Sequence, residues 1–501
     1  MLPLYSMYIL FVSSVLFLKF KTVYYKMIKV VNTINKGSFS TVYLTDENDV
    51  YKHFSSKKIL GYLFIPLEIS VLRTLEHVNI SPNIINYVCN KNKITGYTME
   101  RYDYDLYYFI TKKYSNGIAV EQKKNIFYQL LNAVYYLHEI NIVHCDIKPA
   151  NIMIDNRHNA FLCDFNSCHL MTPKKIESLC NLYTCTLWYR SPEILLNKPI
   201  TYKCDIWSLG VVFSELLKGE CGVLTKGYFY GEDNALTSSF IYKNQCEYFM
   251  HDNYVTFFKF IGLCEDDNLC ELLKNMLTID PFSRYCSKML LDQACFTDTV
   301  IKKPTISPLM NIENSNYFHK NSINIVCFDY AIVYIKDTIK QYVKTSYRYF
   351  SLKLFHEELL HFAHYIFIYS YSYNYDSSMI VNKFFWCLIL ALKIMDPYND
   401  MLCTIDVSSL NIEEETFLLI ETDFKIYFQN SVYYKIYNSI VEPSSSLLVL
   451  LDASLYFNYP KSCKNTNDVM QLLINFSEGK NTDSTYYTNL QKFVIKNECI
   501  N

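Results

Sequence analysis

The sequence predicts an α+β fold: a small β-rich portion first, a larger α-helical portion after it, and a mostly α-helical C-terminal domain. Three observations carry this expectation. Residues 27 to about 51 read as strand, turn, strand, in "MIKVVNTI", "NKGSFS" and "TVYLT". Next, "IPLEISVLRTLEHV" puts Ile65, Ile69, Leu72 and Leu75 on one helix face, and a second helical pattern runs from Glu121 to His138. From residue 346 onward come aromatic, helix-length segments with few turn signals.

A chain of 501 residues has room for two or three domains with full cores. The boundaries fall after an apolar segment (1–26), after a long mixed domain (27–298) and after a linker (299–345), leaving a helical domain over 346–501. The linker reading rests on the polar "KKPTISPLMNIENSNYFHKNSI", with Pro304 and Pro308. Half of the residues are apolar and the net charge is -2, which excludes disorder and gives no basic tail for nucleic acid. The 18 cysteines show no CxxC pairing and no ligand spacing, the pattern of a reduced cytoplasmic or nuclear compartment. Only six of the 47 basic residues are arginine, so each arginine stands out. Leu4 to Leu18 is uncharged, mostly apolar and followed by Lys19, Lys21 and Lys26. Read as an anchor, it holds the chain on the cytoplasmic side of a membrane. Read otherwise, it precedes a translation start at Met27. Both readings stay open.

Within 27–298 a set of residues suits phosphoryl transfer, which asks a protein mainly for positioning and charge neutralisation. "INKGSFSTV" (Ile34, Asn35, Lys36, Gly37, Ser38, Phe39, Ser40, Thr41, Val42) is a tight turn between strands that can bring backbone N–H groups over phosphates. Lys52 can contact the α- and β-phosphates, with Glu68 on the following helix to orient it. In "HCDIKPAN", Asp146 can accept the hydrogen bond of a substrate hydroxyl, and Lys148 can neutralise the transferring phosphate. Asn151 and Asp164 supply oxygens suited to Mg²⁺. Each has a bland reading alone; five elements in order do not.

Taken together these residues resemble a eukaryotic protein kinase: glycine-rich loop, strand lysine, helix glutamate, HxDxKPxN, then "DFN" at Asp164 and "SPE" at Ser191. "EISVLRTLEHVNI", "TLWYRSPEILL" and "YKCDIWSLG" resemble the cyclin-dependent branch. The resemblance implies a bilobal fold, with an N-lobe over about 27–99 and a C-lobe over about 103–298. It implies ATP and Mg²⁺ as cofactors and transfer to Ser or Thr followed by Pro in protein substrates. In "YTMERYDYDL" it implies Met99 as gatekeeper and backbone groups of Glu100 and Tyr102 on adenine. Asp105 would face the ribose, with Val50 and Met153 on either side of the base. Arg284, in "DPFSR", would pair with Glu193, and Arg190 would shape the pocket after the phosphoacceptor.

The chain departs from the family at five positions. Asn35 and Ser40 replace two glycines of the loop, and Asn166 replaces the glycine after Asp-Phe; Asn is a residue that tolerates positive φ. Cys145 stands where the family carries an arginine that gathers a phosphate on the activation segment, and Asn181 stands where the phosphorylated threonine would align. Phosphate and receiver are missing together. Lys52, Asp146 and Asp164 are all kept, so an active enzyme is the reading; an ATP-binding scaffold with little turnover, supported by the two altered loop glycines and Asn166, is its rival.

The tail could be a helical lid, an unrelated domain or a partner surface. "LALKIMD" (Leu390 to Asp396) and "EETFLLIETDFKIY" resemble helices of a cyclin box, with Lys393 and Glu415 on that family's paired Lys and Glu. On that resemblance the kinase carries its own activator in cis. A separate cyclin acting in trans stays open.

Overall fold

A computed structural model describes residues 28–296, apart from 38–39, 55–66, 172–184, 225–234 and several shorter stretches, together with Cys387, Leu390 and Ala391. The expected strand–turn–strand forms as β1 (Val30–Lys36) and β2 (Ser40–Thr45), followed by β3 (Val50–Phe54), β4 (Ile84–Asn90) and β5 (Lys93–Met99). They make one five-stranded antiparallel sheet in the order β1-β2-β3-β5-β4. Lys52 lies opposite Val42 on one side and opposite Tyr97 on the other. Gly96 makes this approach feasible: a Cβ there would stand 2.1 Å from the Lys52 carbonyl oxygen. Any side chain would push β5 away from the strand that carries the lysine.

Glu68, Ile69 and Leu72 lie in helical backbone and are buried. Leu75 falls just beyond the helical residues, its N–H donating to the Val71 carbonyl at 3.0 Å, and Ile65 lies outside the described residues.

The helical lobe is organised by α1 (Val120–Glu139), the helix expected at Glu121 to His138. Between α1 and α3 lies α2 (Pro192–Leu195), and α3 (Lys203–Lys218) runs through the centre of the lobe. Phe127 of α1 stacks on Phe213 of α3 at 4.0 Å between ring centroids, and Trp207 is fully buried. Gly219, at φ +74°, closes α3 with its N–H on the Glu215 carbonyl. Further helices of the lobe among the described residues are α4 (Ala235–Phe249), α5 (Tyr254–Ile261), α6 (Asn268–Met276) and α7 (Ser287–Leu291).

Between the two lobes run short strands: β6 (Tyr104–Asp105), β7 (Ile142–Val143), β8 (Ile152–Ile154), β9 (Ala160–Leu162) and β10 (His169–Leu170). β6, β8 and β9 form one sheet, and β7 pairs with β10. The β7–β8 connection therefore carries "HCDIKPAN" between two fixed points, and Asp164 lies two residues beyond the end of β9. The expected bilobal α+β architecture is what the chain adopts.

Among the described residues no helix is long and apolar enough to cross a membrane. Residues 4–18, the linker, Asn181, Lys393 and Glu415 lie outside the described residues. Within the tail, Cys387, Leu390 and Ala391 are helical and fully buried, at the i, i+3, i+4 spacing of one helix face.

Candidate active site

Two clusters face each other across the lobes. The first centres on Lys52, which β3 directs to the same side of the sheet as its neighbour Tyr97. Its Nζ donates to Glu68 Oε1 at 2.5 Å and to Asp164 Oδ1 at 2.9 Å. Tyr97 also donates, from its hydroxyl, to Glu68 Oε1 at 3.0 Å. On the far side, Asn166 Nδ2 donates to Asp164 Oδ1 at 2.8 Å.

This is one ammonium between two carboxylates, and the protonation equilibria follow from that. Burial alone would lower Lys52, but the Asp164 and Glu68 charges outweigh it and hold the ammonium well above the lysine range. Burial raises Glu68, and the second carboxylate adds to the rise, against the opposing pull of Lys52. Burial pushes Asp164 up too, but the Lys52 charge and hydrogen bond outweigh it and keep that carboxyl low. The better-solvated Asp164 thus stays ionised.

The second cluster is the β7–β8 connection. Asp146 Oδ1 accepts from the Thr186 hydroxyl at 2.5 Å and from its N–H at 2.9 Å, and Oδ2 accepts from Lys148 at 2.7 Å. Lys148 reaches the Thr186 hydroxyl as well, at 2.8 Å. Asn151 donates both to the Asp146 carbonyl (2.9 Å) and to Oδ2 (2.8 Å), so its own carbonyl oxygen is the end turned away. Asp146, Lys148, Asn151 and Thr186 are thereby fixed as one unit. Oxygen donors from Asn151 and Asp164, one neutral and one anionic, fit a hard divalent cation such as Mg²⁺.

What fixes the connection is a residue the sequence reading passed over. Asp205, fully buried in the first turn of α3, accepts from the N–H groups of His144 (2.8 Å) and Cys145 (2.9 Å) and faces His138 Nε2 at 3.1 Å. The signal was an acidic residue inside the apolar "CDIWSLG", where a charge needs a partner.

Cys145 and Asp164 have φ of +63° and +67°, whereas Asn35 and Asn166 do not take positive φ. The expectation that the two asparagines stand in for glycine backbone is therefore corrected. Asn166 lies in a 3₁₀ turn (Phe165–Ser167) and contributes its side-chain amide to Asp164; Asn35 uses its Oδ1 to accept from the Lys36 N–H at 2.7 Å.

The Cys145 side chain points into an apolar cluster with Val143, Met171, Cys185, Ile194, Ile200 and Cys204. Burial pushes its thiol well above the ordinary range, and contact with the Cys185 and Cys204 thiols adds to this. A thiol so placed behaves as a small apolar group.

Of the expected nucleotide contacts, Ile34, Asn35, Lys36 and Gly37 are exposed on β1 and its turn, Ser40 is buried, and Thr41 and Val42 are half-buried. The Gly37 N–H donates to the Ser40 carbonyl at 2.8 Å; Ser38 and Phe39 lie outside the described residues. Val50 pairs with Met99 in register, and Met153 pairs with Asp105. Glu100 is exposed, and the Tyr102 ring lies 4.7 Å from that of Phe161. Asp105 Oδ1 accepts from the Tyr108 N–H at 2.6 Å, capping a short helix (Leu106–Tyr108).

The expected pairing of Arg284 with Glu193 is present: two hydrogen bonds of 2.8 and 3.0 Å, with both side chains buried. Arg190 is also buried, its Nε donating to the Cys185 carbonyl at 2.8 Å.

Comparison with known proteins matches residues 28–296 to the protein kinase domain family, more than half of the 501 residues. The chain is 34% identical over 196 residues to a probable CTD kinase subunit alpha homolog of Encephalitozoon cuniculi, covering 38% of this chain and 56% of that one. It is 31% identical over 209 residues to cyclin-dependent kinase 4 of Xenopus laevis (38% and 62%). To cyclin-dependent kinase-like 5 of Homo sapiens it is 28% identical over 248 residues (46% and 25%). The chain thus spans from a quarter to somewhat under two thirds of the length of these relatives.

Proposed function

The chain belongs to the protein kinase family, on its cyclin-dependent branch, and from that membership we propose that it transfers the γ-phosphate of ATP to Ser or Thr of protein substrates. The observation that carries this reading is the unit of Asp146, Lys148, Asn151 and Thr186, in which one carboxylate is oriented by three neighbours. Asp146 orients the substrate hydroxyl and takes its hydrogen bond as the oxygen attacks. Lys148 stands where charge on the transferring phosphoryl group would be neutralised, and Lys52 holds the nucleotide phosphates. Mg²⁺ would be held by Asn151 and Asp164 and would supply further neutralisation of phosphate charge. The turn between β1 and β2, with its one glycine Gly37, and the segment Met99 to Asp105 bind the nucleotide.

Substrates with Pro after the phosphoacceptor are what the likeness of "TLWYRSPEILL" to the cyclin-dependent branch implies. Activation comes from residues 346–501 acting in cis rather than from a segment phosphate; the apolar surroundings of Cys145 support this, because they offer no charge to a phosphate. A tethered partner acts at about millimolar effective concentration. A cyclin in trans is the alternative source. The free cysteines fit a cytoplasmic or nuclear location, and fractionation with and without residues 1–26 tests a membrane anchor.

The test is transfer from labelled ATP to a Ser-Pro substrate by residues 27–501, by residues 27–298, and by Asp146→Asn in the longer chain. Transfer by the long form alone, abolished by Asp146→Asn, is the expected result. A fully active 27–298 removes the cis-activation reading. ATP binding without transfer by either form, and with no response to an added cyclin, leaves a scaffold.

A further inference from the structure

We propose that Tyr97 is a positioning residue for phosphoryl transfer, its hydroxyl holding the Glu68 carboxylate where that carboxylate can grip Lys52. The inference rests on the reading of Lys52 as the nucleotide-phosphate contact.

Three features of the geometry carry it. Tyr97 and Lys52 are register partners on adjacent strands, so their donors reach the same oxygen, Glu68 Oε1, from two fixed points 3.0 and 2.5 Å away. Glu68 Oε2 is buried without a hydrogen-bond partner among the described residues. The orientation of the carboxylate therefore depends on what Oε1 accepts, and Tyr97 supplies half of it. The ring itself needs no hydroxyl: it is fully buried and packs against Phe54 at 6.0 Å between centroids, contacts a phenylalanine would keep. A buried hydroxyl is unfavourable unless it is bonded, and among the described residues Glu68 is its acceptor.

The phenol is also a permanent donor. Burial raises it well above the tyrosine range, and the Glu68 and Asp164 charges raise it further, so it does not ionise where the protein is folded. Its donation favours the charged form of Glu68, against burial and against Asp164. The groups facing Glu68 are then Lys52, Tyr97 and Asp164. Losing the hydroxyl removes one of the two side chains whose contacts favour the charged form of Glu68. The Lys52–Glu68 contact then gives way to protonation at a higher pH.

The experiment uses the full chain and Tyr97→Phe. MgATP affinity and kcat/KM for ATP are measured from pH 5 to 9, with unfolding midpoints as a control for packing. A hydrogen bond to a charged group contributes about 1.5–3 kcal/mol, so kcat/KM is expected to fall about 10- to 100-fold. The acid limb of both profiles moves to higher pH. A purely structural role for Tyr97 would lower the midpoint and leave the acid limb in place. Glu68→Gln serves as the second variant: in that background Tyr97→Phe is expected to add little, because the group it positions is already neutral. Unchanged affinity and an unmoved acid limb in Tyr97→Phe overturn the proposal, as does full additivity with Glu68→Gln. Should the wild-type chain bind MgATP but transfer nothing, the transfer reading fails while the binding profile still decides Tyr97. Absence of MgATP binding in the wild type overturns both.

Discussion

The backbone N–H of Cys145, held at φ +63°, donates to Asp205 Oδ1 at 2.9 Å, and that bond ties the β7–β8 connection to the first turn of α3. A non-glycine residue in the left-handed region is strained, and here the strain is held by a buried carboxylate that also takes the His144 N–H. Asp146 follows directly, so its direction is inherited from this anchor.

Asp205→Ala is expected to leave two backbone donors without their acceptor, at about 1–3 kcal/mol each. The loss reads as a lower denaturant midpoint, together with a fall in phosphate transfer. Wild-type stability in this variant would mean that the connection is held by something else.

Restoring the family's arginine tests the cysteine cluster. Cys145 is 2% exposed, and among the described residues its side chain packs in a cluster of apolar groups and thiols. Cys145→Arg is expected to destabilise by about 3–5 kcal/mol, the scale for an unpaired buried charge. A variant as stable as the wild type would show an anionic partner for that arginine, and with it a segment that can be read by charge.

Arg284 and Glu193 form a fully buried bidentate pair, and the guanidinium carbon also lies 5.1 Å from the Trp207 ring centroid. Arg284→Met alone is expected to cost about 3–5 kcal/mol by stranding Glu193. Arg284→Met with Glu193→Leu is expected to recover part of that loss, because no charge is left buried. Equal loss in the single and double variants, measured by urea unfolding, would place the effect in the backbone contacts of Arg284 instead.

Much of this site was legible in the sequence because its parts are charged residues at fixed spacings. Lys52, Asp146, Lys148, Asn151 and Asp164 stand out from their motif, β1 and β2 from the strand–turn–strand pattern, and α1 from its helical pattern. Three contributions were not legible. Tyr97 looks like one more aromatic residue in a β-strand, and only the β3–β5 register brings its hydroxyl to Glu68. Asp205 is separated from Cys145 by 60 residues, so its acceptor role needs the packed lobe. Asn166 was read through backbone preference, whereas its amide is what the fold uses.

Glu215 gives a pH prediction away from the chemistry. It is 1% exposed, accepts from Gly222 N–H at 2.6 Å and Tyr189 OH at 3.1 Å, and burial pushes its carboxyl up to about 7. With the folded value above the unfolded one, the native state binds the extra proton between about 4.5 and 7. The Glu215 contribution is therefore complete at the acid end of that window and is lost as pH rises through it, by roughly 3 kcal/mol at most. Stability of the wild type relative to Glu215→Gln, measured by unfolding at pH 5 and pH 8, should fall on going to pH 8. A flat or rising difference would place the carboxylate among stronger donors than the geometry gives it.

The most direct measurement compares the full chain with Asp146→Asn for labelled phosphate transfer to a Ser-Pro protein substrate, with MgATP affinity measured in parallel. The account predicts transfer by the wild type, a fall of about 10²- to 10⁴-fold in the variant and little change in nucleotide affinity. Equal transfer by the two proteins, or nucleotide binding by the wild type with no transfer under any activating condition, would contradict it.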